Sequence, residues 1–168
     1  MQIIRVGFTD DRRYWRSEGE ISDTRPYGNL VVDREGDRLY AFVMRDGAKS
    51  TRYFAFDLPK LSDGEINDRF GVPYVVLGID DIKEYFDTPY HHYLQGACCR
   101  GGKIYSVEGF NANIRPCLRI IDLKEKKQIF ESDLFNEGLT HEAEFIDFYG
   151  DSCYYSDSEG NIFELEVD

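Results

Sequence analysis

An all-β fold of repeated four-stranded sheets is what this sequence predicts, and three observations predict it. The first is the run from Gln95 to Phe130, which reads as four short strands. Its β-branched and aromatic stretches are separated by Gly-, Asn- and Asp-rich breaks, the signature of hairpins. The second is that this run has copies on both sides. An offset of 65 carries Tyr40 onto Tyr105 and Asp57-Leu58 onto Asp122-Leu123. An offset of 49 carries His92 onto His141, Gln95 onto Glu144, Tyr105 onto Tyr154 and Glu108 onto Asp157. The third is composition. Aromatics reach 15%, with 12 Tyr and 12 Phe, within an ordinary hydrophobic content of 42%, which suits strands packed face to face. Four strands per unit at this period read as propeller blades.

The chain opens with a strand at 2–8 that has no hairpin partner beside it in sequence. Residues 10–17 are polar around Tyr14 and Trp15, a pair that reads as cover for a sheet edge before it reads as a sugar-stacking platform. Residues 18–28 are turn-rich and end in Arg25-Pro26-Tyr27-Gly28. The first unit starts at Asn29, with a hairpin turning at Arg34 to Asp37, a second turn near Asp46-Gly47-Ala48 and a strand at Arg52–Leu58. The following link is long. Leu58 to His92 spans 34 positions where Leu123 to His141 spans 18, an excess of 16. Within it, Ser62-x-x-Glu65 has the capping-box pattern, so a brief helix is expected at 63–69, ended by Gly71 and Pro73. PYVVLGI, from Pro73 to Ile79, reads as the outer strand of the first unit, and 80–86 as a short helical turn.

The second unit is the central run, with strands at 95–99, 103–108, 117–121 and 128–134 and a tight turn at Gly101-Gly102. The third, EAEFIDFYGDSCYYSDSEGNIFELEVD, holds three strands around hairpins at Gly150-Asp151 and Glu159-Gly160. It is one strand short, and the strand at 2–8 is the spare. The expected architecture is therefore a single domain over residues 1–168, a β-propeller with about three four-stranded blades per chain. Propellers hold about 4–8 blades. Either two copies complete a six-bladed ring by exchanging N-terminal strands, or the chain is part of a longer propeller.

The net charge of −12 argues against a nucleic-acid partner, which calls for clustered Lys and Arg. No signal-peptide pattern follows Met1 and no apolar run is long enough to cross a membrane. The expected location is cytoplasmic, or periplasmic or at the cell surface for a segment cut from a longer precursor. Cys98, Cys99, Cys117 and Cys153 lack C-x-x-C spacing and read as buried apolar residues, with Cys98 and Cys99 on opposite faces of a strand.

The stretches QGACCRGGKIYSVEGF, LRIIDL and EAEFIDFYGDSCYYSDSEGNIFEL resemble the repeats of bacterial propellers of the NHL and gluconolactonase-like kind, over roughly residues 29–168. Such propellers serve as enzymes, as sugar or peptide binders and as assembly platforms. The resemblance implies that lactonase-type members would hold a divalent cation in the central channel with Glu, Asn and Asp.

In a propeller the mouths of the inner strands line the channel. Those positions are Tyr27, Leu30, His92, Gln95, His141 and Glu144, joined by Glu108, Arg115 and Asp157 beyond the second strands. The candidate ligand-binding set is thus His92, Gln95, Glu108, Arg115, His141, Glu144 and Asp157, suited to a small polar ligand or a protein partner. The same recurrence has a structural reading, in which these side chains tie neighbouring sheets together. On a strand, His141 and Glu142 face opposite ways, while Glu142 and Glu144 share a face. No nucleophile-elbow, zinc-protease or phosphate-loop motif is present. The expected function is a non-catalytic ligand- or partner-binding module acting at the channel mouth without a cofactor. The alternative, drawn from the resemblance, is a metal-assisted hydrolase or lactonase with a cation such as Ca2+ on Glu108, Glu144 and Asp157.

Overall fold

The computed structural model describes residues 1–6, 24–25, 30–45, 48–91, 93–110 and 113–167. The expectations at Tyr14, Trp15, Tyr27, Asp46-Gly47 and His92 lie outside the described residues. Apolar side chains, alternating with polar ones where one face is exposed and in unbroken runs where both faces are buried, make strands of nearly every regular segment among the described residues. In chain order these are β1 (Ile3–Val6), β2 (Thr24–Arg25), β3 (Leu30–Asp33), β4 (Arg38–Arg45), β5 (Ser50–Asp57), β6 (Glu65–Asn67) and β7 (Val72–Leu77). One 3₁₀ turn at Ile79–Asp81 precedes β8 (Glu84–Pro89). There follow β9 (Leu94–Arg100), β10 (Lys103–Glu108), β11 (Cys117–Asp122), β12 (Lys127–Asp133), β13 (Ala143–Tyr149), β14 (Ser152–Asp157) and β15 (Ile162–Leu165).

The repeat is real at the level of backbone register. Arg38 opposite Asp57 recurs as Lys103 opposite Asp122, the offset of 65. Glu108 opposite Leu94, beyond an irregularity, recurs as Asp157 opposite Ala143, the offset of 49. The four strands expected between Gln95 and Phe130 form one antiparallel sheet in the order β12-β11-β10-β9, and the three expected at the end of the chain form another, β13-β14-β15.

The propeller expectation is overturned. The strands divide among four separate sheets of three, four, three and five strands, and none closes on itself. The sheets stack in series. Strands β4 and β5 are buried on both faces. Tyr40, Phe42, Tyr53 and Ala55 pack toward Leu94, Ile104 and Ile121 of the four-stranded sheet. Leu39, Ala41, Val43, Phe54 and Phe56 pack the other way, onto Leu77 with half-buried Ile4, Val6 and Val75. On the far side of the four-stranded sheet, Cys98, Tyr105, Leu118 and Ile120 meet Ala143, Ile146, Cys153 and Tyr155. Each large apolar side chain taken fully out of water contributes roughly 1.5–3 kcal/mol, so the three interfaces carry the fold. Cys98 and Cys99 do face opposite ways, one into each neighbouring core.

The N-terminal strand does not finish the last sheet. It runs parallel to β7, with Ile3 beside Tyr74 and Val6 beside Leu77. The physical reason is the outer face of the five-stranded sheet, an apolar surface that Ile4, Val6, Val75 and Leu77 cover together. PYVVLGI is correspondingly not the outer strand of the first unit. That edge is β8, fixed on β5 by Asp87 opposite Arg52 and Phe86 opposite Tyr53. The Tyr53 and Phe86 rings stack at 5.1 Å and 2°, and Arg52 Nε donates to Asp87 Oδ1 at 2.6 Å.

The helix expected at 63–69 is also absent. Asp63 accepts a hydrogen bond from the Lys60 N–H at 2.8 Å, and Asn67 accepts from Arg69 at 3.0 Å. These side chains close local turns in place of capping a helix, and Gly64 at φ 90° cannot continue one. The turn expected at 80–86 shrinks to Ile79–Asp81.

Between the second and third units the backbones approach closely at Gly96. A Cβ there would lie 2.7 Å from Phe145 Cα and 3.0 Å from Ile146 N. Backbone cannot yield as a side-chain tip can, so Gly96→Ala is expected to destabilise the fold by roughly 1–3 kcal/mol. A urea-melt midpoint unchanged from wild type would contradict this.

Candidate functional site

Gln95, Glu108, Arg115 and Asp157 are held in place by separate structural bonds. Gln95, half-buried on β9, donates to the Gly109 carbonyl at 3.2 Å and to the Glu142 carboxylate. It therefore ties the four-stranded sheet to the approach to β13. Arg115 reaches Asp133 at 3.3 Å and lies over the Phe135 ring. Asp157 turns back on the β14–β15 turn, accepting from Asn161 N at 3.0 Å and Glu159 N at 3.1 Å. Burial pushes the Asp157 carboxyl up, but the hydrogen bonds from Asn161 and Glu159 and the nearby His141 more than offset it, leaving the pKa below the ordinary value. Glu144 and His141 are exposed. Among the described residues no three of His, Cys, Asp and Glu converge as a metal-ligand group, so Glu108, Glu144 and Asp157 are not brought together.

Glu108 sits in a buried polar knot between the five-stranded and four-stranded sheets. Its Oε1 accepts from Arg119 Nε at 3.1 Å and Nη2 at 2.8 Å. Arg119 also donates through Nη1 to Gln128 at 2.9 Å and to Glu131 at 2.7 Å. His91 is fully buried beside them, its Nδ1 3.8 Å from Glu108 Oε2. Its backbone N–H donates to Thr51 Oγ1 at 2.9 Å, while neither ring nitrogen has a hydrogen-bond partner among the described residues. Burial, and secondarily the Arg119 charge, push the imidazole pKa down to about 3, so His91 is neutral in the fold.

Sequence reading passed over Arg119, although a lone cation inside CLRIID between apolar neighbours signals a buried partner. The thiols offer no nucleophile. Burial pushes Cys99 and Cys117 up to about 12 and Cys153 to about 11.

A large apolar opening lies elsewhere, in a cleft of about 640 Å³ between the four-stranded sheet and β15. Leu118 and Ile120 of β11 and Ile129 and Phe130 of β12 form one wall, and Phe163 and Leu165 of β15 form the other. Polar groups are few and sit among these: Lys103, Ser132, Glu137, Glu164 and Glu166. A second groove, about 560 Å³, runs where β3, β9 and β13 meet. Arg100 there is already held by Asp151 at 2.6 Å.

No protein-family model matches this chain, and no curated protein does. The solved structures it is similar to include two computationally designed proteins. Ika4 aligns over 92% of this chain and 98% of its own, at 9% identity and a TM-score of 0.40. Ika8 aligns over 91% and 49%, also at 9% and 0.40. Likeness at that level carries no argument about fold or function.

Proposed function

We propose that this chain is a non-catalytic binding module whose ligand or partner occupies the cleft between β11–β12 and β15. The observation that supports it is the cleft itself. Its volume of about 640 Å³ falls within the range of ligand sites, roughly 300–1,000 Å³, and its apolar walls with a few polar groups match their usual chemistry. Gln95, Glu108, Arg115 and Asp157 are engaged in structural bonds, whereas the cleft offers apolar walls suited to recognition.

The test uses a neutral apolar dye, Nile red. Its fluorescence is expected to rise saturably with one dye per chain. Ile129→Glu and Phe130→Lys, at positions 44% and 47% exposed, are expected to weaken binding about tenfold or more while leaving the melting temperature nearly unchanged. Dye binding unaffected by both substitutions would reject the cleft as the site.

A further inference from the structure

Resting on that reading of the cleft, we infer that its occupant is an extended peptide segment of a partner, alternating apolar with Lys or Arg residues, which adds as a strand to the outer edge of β15. Three observations lead there.

First, β15 is an edge. It pairs with β14 alone among the described strands. The cleft runs along that edge, because side chains from both faces of the strand line it, Phe163 and Leu165 from one and Glu164 from the other. An edge strand presents unpaired N–H and C=O groups in a row, a template for another strand.

Second, the repeat says what belongs beside it. The hairpin β13–β14 keeps the register of β9–β10, Tyr154 opposite Asp147 reproducing Tyr105 opposite Cys98. Strand β15 therefore stands where β11 stands in its own sheet. There β12 covers the outer edge, Ile120 lying opposite Phe130. The position equivalent to β12 beside β15 is the cleft.

Third, charge selects the sequence of the segment. Glu137, Glu164 and Glu166 line the cleft against Lys103 alone, on a chain of net charge −12. Directly opposed side chains on neighbouring strands interact, and opposite charges there are favourable. Residues facing Glu164 and Glu166 should be basic, and those between them, facing the side of Phe163 and Leu165, apolar. Main-chain bonds supply affinity and the alternate side chains supply specificity, as in other strand-addition complexes.

The probe is a fluorescein-labelled, terminally blocked peptide of sequence KVKVKVT, with EVEVEVT as the charge-reversed control and KVKPKVT as a control of equal charge that lacks a central N–H. Fluorescence anisotropy is expected to show saturable binding of KVKVKVT. It should weaken about tenfold or more for either control, and likewise for the Glu164→Lys, Glu166→Lys double variant. Both positions are exposed, so that variant should fold, which its circular dichroism checks. Equal binding of KVKPKVT would overturn strand addition. Failure of KVKVKVT while Nile red still binds would overturn the peptide occupant and leave the cleft reading standing. Sedimentation showing a dimer that the double variant abolishes would make a second copy the occupant and also overturn the inference.

Discussion

Replacing Glu108 by alanine is expected to destabilise the protein by about 3 kcal/mol, near the lower end of what breaking a buried ion pair costs. The carboxylate is 4% exposed and meets Arg119, 8% exposed, through two hydrogen bonds. Removing it strands a buried guanidinium edge. Glu131 and Gln128 still hold the remaining Nη1, which is why the effect falls short of the maximum. The pair itself need not stabilise. A Glu108→Met, Arg119→Leu double variant removes both charges together and is expected to recover most of the loss. Urea melts of the single and double variants decide the matter. A single variant within about 1 kcal/mol of wild type, or a double variant as unstable as the single, would contradict this account of the knot.

The second large effect is on acid stability, and it belongs to His91. Its folded pKa lies at about 3 and its unfolded value near 6.5. Between these the unfolded chain binds a proton that the folded chain refuses. Stability is therefore fully present above pH 6.5 and falls as the pH drops toward 3. The slope from this residue alone approaches about 1.4 kcal/mol per pH unit below about pH 6. The groups facing the ring come from three strands: Glu108 of β10, Arg119 of β11 and Tyr53 of β5, whose ring lies edge-on at 6.5 Å. His91→Phe keeps a ring in that position and removes the titration. The variant's unfolding free energy should fall less steeply between pH 6 and pH 4 than that of wild type. Identical slopes would show that His91 takes up its proton in the folded chain as readily as in the unfolded one, and would contradict this.

The strands were legible in the sequence wherever pairing is local. Hairpins such as β9–β10 and β13–β14 are written in their turn residues and in the two offsets, and the backbone register reproduces both. What was not legible is how the units sit against one another. Strand β1 carries the same alternation whether it joins the last sheet or β7. The choice was made by the apolar outer face of β4 and β5, formed by residues more than thirty positions away. Ser62-x-x-Glu65 misled because local turns at Asp63 and Asn67 competed with helix capping. At the site, counting positions found Gln95, Glu108 and Asp157 but read shared register as shared function. In the structure these residues stitch sheets and close turns. The cleft has no local signature, since one wall comes from β11 and β12 and the other from β15, which pairs with neither.

Strand addition in the cleft requires the outer edge of β15 to be open to a partner. Residue-resolved amide hydrogen exchange measures this in the free protein. Rapid exchange is expected for the β15 amides that point away from β14, against slow exchange throughout β11, which is paired on both sides. Protection of the outward β15 amides equal to that of β11 would mean that the edge is already covered, and would contradict strand addition.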